Sequence, residues 1–184
     1  FDTVVSRPVT DKNRILGLIT ENKSGTECYT GNVIIDTTGD ADVLFRAGVP
    51  TVQGGNYDTF YMFGADTATW KKAYDGSDLA MLPKFITVAP ADLYGNNQPE
   101  GKPLWTGTTG ENVSEYITEK HIEAIDKIKD DNRSERDVLL IPTMPQFRTT
   151  RHIDGDVTFT ENDAYKHRED SIGAICDFDR RDYL

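Results

Sequence analysis

Residues 32–50 read NVIIDTTGDADVLFRAGVP, and this stretch decides how the N-terminal part of the chain is organised. The compact apolar run NVIID favours a strand covered on both faces, and ADVLFRAGVP favours a short helix that ends at its Gly-Val-Pro sequence. Between them, Gly39 has no Cβ, so a ligand can approach the backbone of the turn closely. A purely structural alternative stays open, in which Gly39 makes the turn from strand to helix and Asp40 caps the helix.

Sequence patterns predict further elements on both sides of this stretch. Before it, TVVSRPV, RILGLIT and TECYT, joined by DKN and ENKSG, predict a three-stranded β-meander. After it, YDTFYMFGAD, KFITVAP and VLLIP predict strands, the last of them buried, and TATWKKAY predicts a helical turn or two. An apolar stripe over residues 113–130 predicts a long helix with Asn112 and Glu115 as its capping box. Thr160 and Asp163 are expected to cap a short last helix.

Together these elements predict an α+β fold. The meander, the aromatic strand and strands around Leu139 and Val157 are expected to form a mixed, mostly antiparallel sheet, with the long helix packed on one face. His121 continues the apolar stripe of that helix, so we expect it to pack in the core rather than to act as a ligand.

Composition excludes several function classes. The 184 residues include 20 Lys+Arg and 31 Asp+Glu, a net charge of −11, which argues against a nucleic-acid surface. No apolar run approaches the ~20 residues of a membrane helix, so we expect a soluble domain without a membrane partner. Cys28 and Cys176 form no CxxC pair, so neither zinc nor a disulfide framework is indicated, and a reducing, cytoplasmic location is favoured. The paired acidic residues in TGDAD and IDGDVT do not continue into a calcium-loop pattern, and no metal site is predicted.

Two motifs in the right order resemble the FAD-dependent oxidoreductase family. The first is the meander, the apolar strand, Thr-Gly-Asp, the short helix and Ala-Gly-Val-Pro, with Thr37 where Ala is commoner in the family. The second, in QFRTTRHIDGDVTFTENDAYKHREDSIG over residues 146–173, is an Arg-x-x-Arg followed by a Gly, a Leu-Thr-like strand, an acidic helix start and Asp-Ser-Ile-Gly.

What the sequence lacks limits what this resemblance implies. Family members begin with a Rossmann GxGxxG and end with a segment that returns to the FAD, and this sequence contains neither. The resemblance therefore implies an internal, substrate-side fragment of a flavoenzyme: a single region over residues 1–184, with the meander and the cofactor-facing strand in 1–50 and the substrate or cap portion in 51–184. We expect the isolated chain to be inactive and to bind FAD weakly or not at all, because this sequence lacks the FAD-binding portions. Those missing portions of the same protein would be its partners. Surfaces that face those portions are expected to be apolar, which predicts self-association.

The resemblance also implies roles for individual residues. It makes Thr38, Gly39 and Asp40 cofactor-binding, and Arg148, Arg151 and His152 the candidate catalytic residues. Guanidinium groups suit a carboxylate substrate or the flavin ring because their forked donors bond in pairs, and histidine titrates near neutrality, so His152 could transfer a proton. Pairing of the arginines with acidic side chains, and a surface position for the histidine, remain as alternatives.

The function implied is hydride transfer between a small, possibly anionic substrate and flavin N5, with the protein supplying orientation and charge. A non-catalytic, acidic, β-rich module that binds a protein or a glycan is the alternative from another class. It requires no missing parts, but it leaves the two paired motifs unexplained.

Overall fold

The computed structural model describes residues 2–76, 84–131 and 137–158, together with Asp163, Lys166 and Glu169. The strands are β1 (Val4–Asp11), β2 (Arg14–Asn22), β3 (Gly25–Thr30), β4 (Thr51–Gln53), β5 (Tyr61–Ala65), β6 (Lys84–Thr87), β7 (Val138–Leu140) and β8 (Arg151–Ile153), and the helices are α1 (Asp42–Arg46), α2 (Thr67–Tyr74) and α3 (Gly110–Asp130). The predicted α+β class is confirmed. The chain divides into two compact units, residues 1–153 and 154–184, and all of these elements belong to the first.

The predicted meander is present and forms an antiparallel sheet in the order β1-β2-β3. Its second hairpin is set by local turn chemistry. Asn22 Oδ1 accepts a hydrogen bond from the backbone N–H of Ser24 at 2.7 Å, and Gly25 follows with φ +107°, a conformation that only glycine adopts without strain.

The predicted buried strand after the meander is wrong. Residues 32–36 belong to no strand, and Val33 and Ile35 are each 79% exposed. An apolar run of this kind is stable as a strand when neighbouring strands and covering helices satisfy its backbone and bury its side chains. Among the described residues no strand pairs with it, so the run stays extended and irregular.

The remaining strands form two small sheets rather than extending one mixed sheet. The order in one is β6-β5-β7, and β4 pairs with β8 in the other; every pair is antiparallel. The aromatic strand, KFITVAP and VLLIP are therefore strands as predicted, although the predicted burial of VLLIP is wrong at Leu140, which is 63% exposed. In the described residues around Val157, up to residue 158, the expected strand is not found; pairing occurs earlier, at Arg151–Ile153, and Val157 is 66% exposed.

Helix α3 packs on the core, but it begins earlier than predicted. Thr109 is the N-cap, and its side chain accepts a hydrogen bond from Asn112 N–H at 3.1 Å. The Asn112 side chain instead accepts from Gly107 N–H at 2.7 Å, so the predicted capping box is wrong. The expected helix cap at Thr160 lies outside the described residues.

The core is formed by aromatic and aliphatic side chains between α3 and the strands. Its fully packed members are Phe60, Met62, Ala89, Trp105, Tyr116 and Ala124. The rings of Phe60 and Trp105 meet Tyr116 edge to face, with centroids 6.0 and 5.4 Å away. His121 packs here as predicted, with its ring 6.2 Å from that of Phe60 and Nε2 2.8 Å from the carbonyl oxygen of Pro142. None of the described helices has the length and apolar character required to cross a membrane.

Candidate functional site

The Thr-Gly-Asp turn is held by a carboxylate that precedes it. Asp36 Oδ1 accepts hydrogen bonds from the backbone N–H of Thr38 at 3.0 Å and from its hydroxyl at 2.8 Å. Asp36 Oδ2 accepts from the backbone N–H of Leu44, in the first turn of α1, at 3.0 Å. The hydroxyl oxygen of Thr38 in turn accepts from Asp42 N–H at 3.0 Å. One acidic side chain therefore ties the turn and the start of the helix together.

The protonation of Asp36 follows from these contacts. Partial burial disfavours the carboxylate, but hydrogen bonds from Thr38 and from the backbone N–H groups of Leu44 and Val43 outweigh burial, so its pKa lies below the ordinary value. The negative charge sits at the positive end of α1, where a helix favours an anion.

The structural alternative in which Asp40 caps the helix is wrong. The residue at the N-cap position is Ala41, which has a left-handed backbone with φ 52° and makes no side-chain cap. Asp36 supplies the oxygen that a cap residue usually provides. Gly39 also has a positive φ of 88°, and a Cβ built there would meet nothing within 4 Å. The turn therefore exposes its backbone to the surroundings.

Arg151, at the start of β8, reaches this turn from the other end of the sequence. Its Nη1 lies 3.0 Å from Asp42 Oδ1 and 3.5 Å from the carbonyl oxygen of Asp40. The guanidinium carbon lies 4.0 Å from the centre of the Phe45 ring, and the residue is only 8% exposed. The fold thus brings together the Thr-Gly-Asp turn and one arginine of the second motif. Arg151 therefore pairs with an acidic side chain, which was the alternative that the sequence left open.

The other two candidate catalytic residues lie elsewhere on the surface. Arg148 is exposed and precedes β8, in the bend over residues 148–150. His152 is also exposed, and its Nδ1 lies 2.8 Å from the carbonyl oxygen of Ile153. Within the described part of the chain, no hydrogen bond or ion pair joins either side chain to the Thr-Gly-Asp turn.

A second polar cluster is buried beside α3. The Lys120 ammonium is fully buried, 2.6 Å from Asp58 Oδ1 and 2.9 Å from oxygens of Glu119 and Glu123. Lys102 bridges two of the same carboxylates, with Nζ 2.9 Å from Asp58 Oδ2 and 2.5 Å from Glu119 Oε1. We call these five residues the lysine–carboxylate cluster.

Charge pairing sets the ionisation of the cluster. Burial disfavours the charged form of Asp58, but hydrogen bonds from Lys120, Lys102 and Trp105 outweigh it and hold its pKa below the ordinary value. Burial likewise disfavours the charged form of Glu119, but hydrogen bonds from Lys102 and Lys120 outweigh it and lower its pKa. Partial burial disfavours the charged form of Lys102, but its pKa is raised by the carboxylates of Glu119 and Asp58.

The cluster also bears on metal binding. Carboxylate oxygens of Asp58, Glu119 and Glu123 lie within 4.8 Å of one another, a spacing that a metal ion could use. The ammonium of Lys120 stands among them and contacts all three, so this arrangement is an ion-pair network. Sequence reasoning missed it, although a signal was present: Lys120 lies four residues from both Tyr116 and Ala124, inside the apolar stripe of α3, where a lysine requires buried partners.

Comparison with known proteins supports the family resemblance of the first motif. Residues 1–71 match the family model described as FAD dependent oxidoreductase. The match includes the meander, the Thr-Gly-Asp turn and α1, and it ends before the second motif. No curated protein and no solved structure gives a significant match. Over its first 71 residues, the chain is therefore similar to the FAD dependent oxidoreductase family.

Proposed function

We propose that this chain is the part of an FAD-dependent oxidoreductase that places a small, anionic substrate against the flavin for hydride transfer. The observation that carries the proposal is the position of Arg151. It belongs to the second family-like motif, yet it contacts Asp42 and lies beside Asp40 at the turn of the first motif. Two motifs that were recognised independently in the sequence therefore meet at one place in the fold.

The geometry of the turn suits a cofactor that approaches the backbone. Gly39 is exposed, and the space into which a Cβ would point is open. The flanking residues are fixed, because Asp36 binds Thr38 and the first turn of α1. Such a rigid, open turn would hold FAD through Thr38, Gly39 and Asp40. When bound, FAD would supply the hydride acceptor or donor at its N5 atom.

The arginines supply charge and orientation in this proposal. Arg151 is stacked on Phe45 and paired with Asp42, so it holds a positive charge at the turn with little freedom to move. Arg148 is exposed and precedes β8, so its guanidinium is available to a substrate carboxylate. His152, also exposed, is the candidate for moving a proton to or from the substrate.

Visible spectroscopy tests the proposal. We would express the protein from its uninterrupted reading frame, purify it beside the 184-residue chain, and incubate both with FAD. We expect a flavin band in the first protein and a weak band or none in the second. If neither protein binds flavin, the oxidoreductase proposal is contradicted and the acidic, β-rich binding module becomes the better explanation.

A glycine pair provides a matched control. Gly39→Ala and Gly25→Ala both place a side chain on a backbone with positive φ, and in both cases the added Cβ meets nothing within 4 Å. Both variants should therefore lose a similar amount of stability, about 1 kcal/mol. Only Gly39→Ala should weaken flavin binding, because only that turn faces the cofactor in our proposal. Equal flavin binding by the two variants would contradict the assignment of Gly39.

A further inference from the structure

Asn56 is a buried residue whose side chain forms hydrogen bonds with the backbone just before Arg151. Its Oδ1 accepts two hydrogen bonds, from the backbone N–H of Arg148 at 2.7 Å and of Thr149 at 2.8 Å. Its Nδ2 donates to the carbonyl oxygen of Trp105 and to Thr150 Oγ1, both at 3.2 Å. Asn56 is 3% exposed, so its amide group lies away from water, where loss of its hydrogen bonds is costly.

The backbone around Asn56 also contacts the bend at residues 148–150. Its own N–H and carbonyl pair with Trp105 at 2.8 and 2.9 Å. One step earlier, Gly55 accepts a hydrogen bond from Thr149 Oγ1 at 2.6 Å. A Cβ on Gly54 would lie 2.0 Å from the carbonyl oxygen of Thr149, so the two segments are in direct backbone contact. Residues 54–56 thus form a rigid support for the bend.

We propose that Asn56 is the positioning residue of the site. By binding the N–H groups of residues 148 and 149 through Oδ1, it fixes the point from which Arg151 reaches Phe45 and Asp42. The inference rests on the proposed function, in which Arg151 stands at the cofactor turn. None of the hydrogen bonds of Asn56 among the described residues goes to that turn, so in this proposal it acts through the backbone that leads to Arg151.

The bend is also connected to the lysine–carboxylate cluster. Trp105, whose backbone pairs with Asn56, donates a hydrogen bond from Nε1 to Asp58 Oδ1 at 3.1 Å. On the core side, Trp105 therefore holds the backbone of Asn56 in place, and its own side chain is bound to the buried Asp58. This continuity explains how Asn56 can hold a fixed position although it lies in a loop between β4 and β5.

The position of Arg151 can be read directly by NMR. Because its guanidinium stacks on Phe45 at 4.0 Å, the ring current should shift the δ and ε proton resonances of Arg151 upfield. A Phe45→Leu variant removes the ring and gives the resonance positions without that shift. We expect Asn56→Ala to move the Arg151 resonances most of the way to the Phe45→Leu values, while resonances of the meander stay in place.

Two further variants separate positioning from general stability. Asn96→Ala removes an asparagine whose Nδ2 binds Asp92 on the surface, and it should leave the Arg151 resonances unchanged. Asn56→Asp keeps an oxygen that can accept from residues 148 and 149 but loses the Nδ2 donors, so it should retain the upfield shift even where it lowers the melting temperature. Loss of the shift in a folded Asn56→Asp protein, or its retention in Asn56→Ala, would overturn the proposal.

The unaltered protein provides a test that does not depend on the folding of any variant. The backbone amides of Arg148 and Thr149 should exchange with solvent slowly, because both donate to a buried oxygen. Rapid exchange of both would overturn the proposal. None of these measurements uses FAD, so a protein that fails to bind flavin would refute the proposed function while leaving the role of Asn56 to be decided by the Arg151 resonances.

Discussion

Replacement of Lys120 by methionine should destabilise the protein strongly, although methionine is a good helix former of similar length. The change removes a fully buried ammonium that contacts three carboxylates and leaves Asp58, whose side chain is 1% exposed, with one fewer counter-charge. Breaking a buried ion pair by removing one partner costs about 3–5 kcal/mol. Lys102 still pairs with Asp58 at 2.9 Å, so we expect the lower end of that range, about 3 kcal/mol.

Urea denaturation followed by tryptophan fluorescence measures this loss, since Trp105 touches the cluster. With a denaturant slope of about 1–3 kcal/mol per molar, the unfolding midpoint should fall by about 1–3 M. Lys129→Met is the matched control, because its pair with Asp126 lies on the surface of the same helix and should be worth less than about 1 kcal/mol. A loss below 1 kcal/mol for Lys120→Met would refute the argument that the buried Asp58 depends on Lys120 for its counter-charge.

Three further predictions follow from the same contacts. The pKa values of Asp58 and Glu119 lie below their ordinary 3.8 and 4.5 in the folded state. Their contribution to the free energy of unfolding is therefore fully present above those values and is lost as the pH falls through the lowered ones. Denaturation from pH 7 to pH 3 should show the beginning of this loss, and Lys120→Met should flatten it. Asp36→Ala removes the carboxylate that binds the turn and α1, and calorimetry should show a loss of about 1–2 kcal/mol; an unchanged melting temperature would contradict that role. Ala41→Gly relieves a left-handed alanine and should leave stability equal or raise it by up to about 1 kcal/mol, whereas a clear loss would show that the φ of 52° is not strained.

Local signals in the sequence were sufficient for most elements. The meander, α1, α2 and the aromatic strand each combine a periodic pattern with turn or cap residues nearby, and such signals act over a few residues. The start of α3 was misplaced because Thr109 and Asn112 are both good cap residues, and the choice between them depends on which side chain finds other partners.

The expectations that failed depend on contacts between residues that are distant in sequence. The run at residues 32–36 has the composition of a buried strand, yet no described strand lies beside it, and Val33 and Ile35 remain exposed. The position of Arg151 against Asp42 joins residues more than a hundred positions apart. The family resemblance made Arg151 a candidate catalytic residue, but it contained no distance from Arg151 to Asp42 or to the Thr-Gly-Asp turn.

The role of Asn56 was invisible for a different reason. Its neighbours in sequence give no pattern, and asparagine in a loop is most often a turn residue. Its significance comes entirely from tertiary hydrogen bonds to residues 148–150. Lys120, in contrast, could be found from the sequence, because a lysine within an apolar stripe contradicts the pattern around it.

The most direct test of the account compares two arginine variants by visible spectroscopy, in the protein expressed from its uninterrupted reading frame and purified with FAD. Arg151→Met removes the guanidinium at the Thr-Gly-Asp turn, and Arg7→Met removes an exposed arginine of β1. We predict a flavin band in the unaltered protein and in Arg7→Met, and a weakened or shifted band in a folded Arg151→Met protein. The same spectrum in all three proteins, or no flavin band in any of them, would contradict the claim that Arg151 and the Thr-Gly-Asp turn form one flavin-facing site.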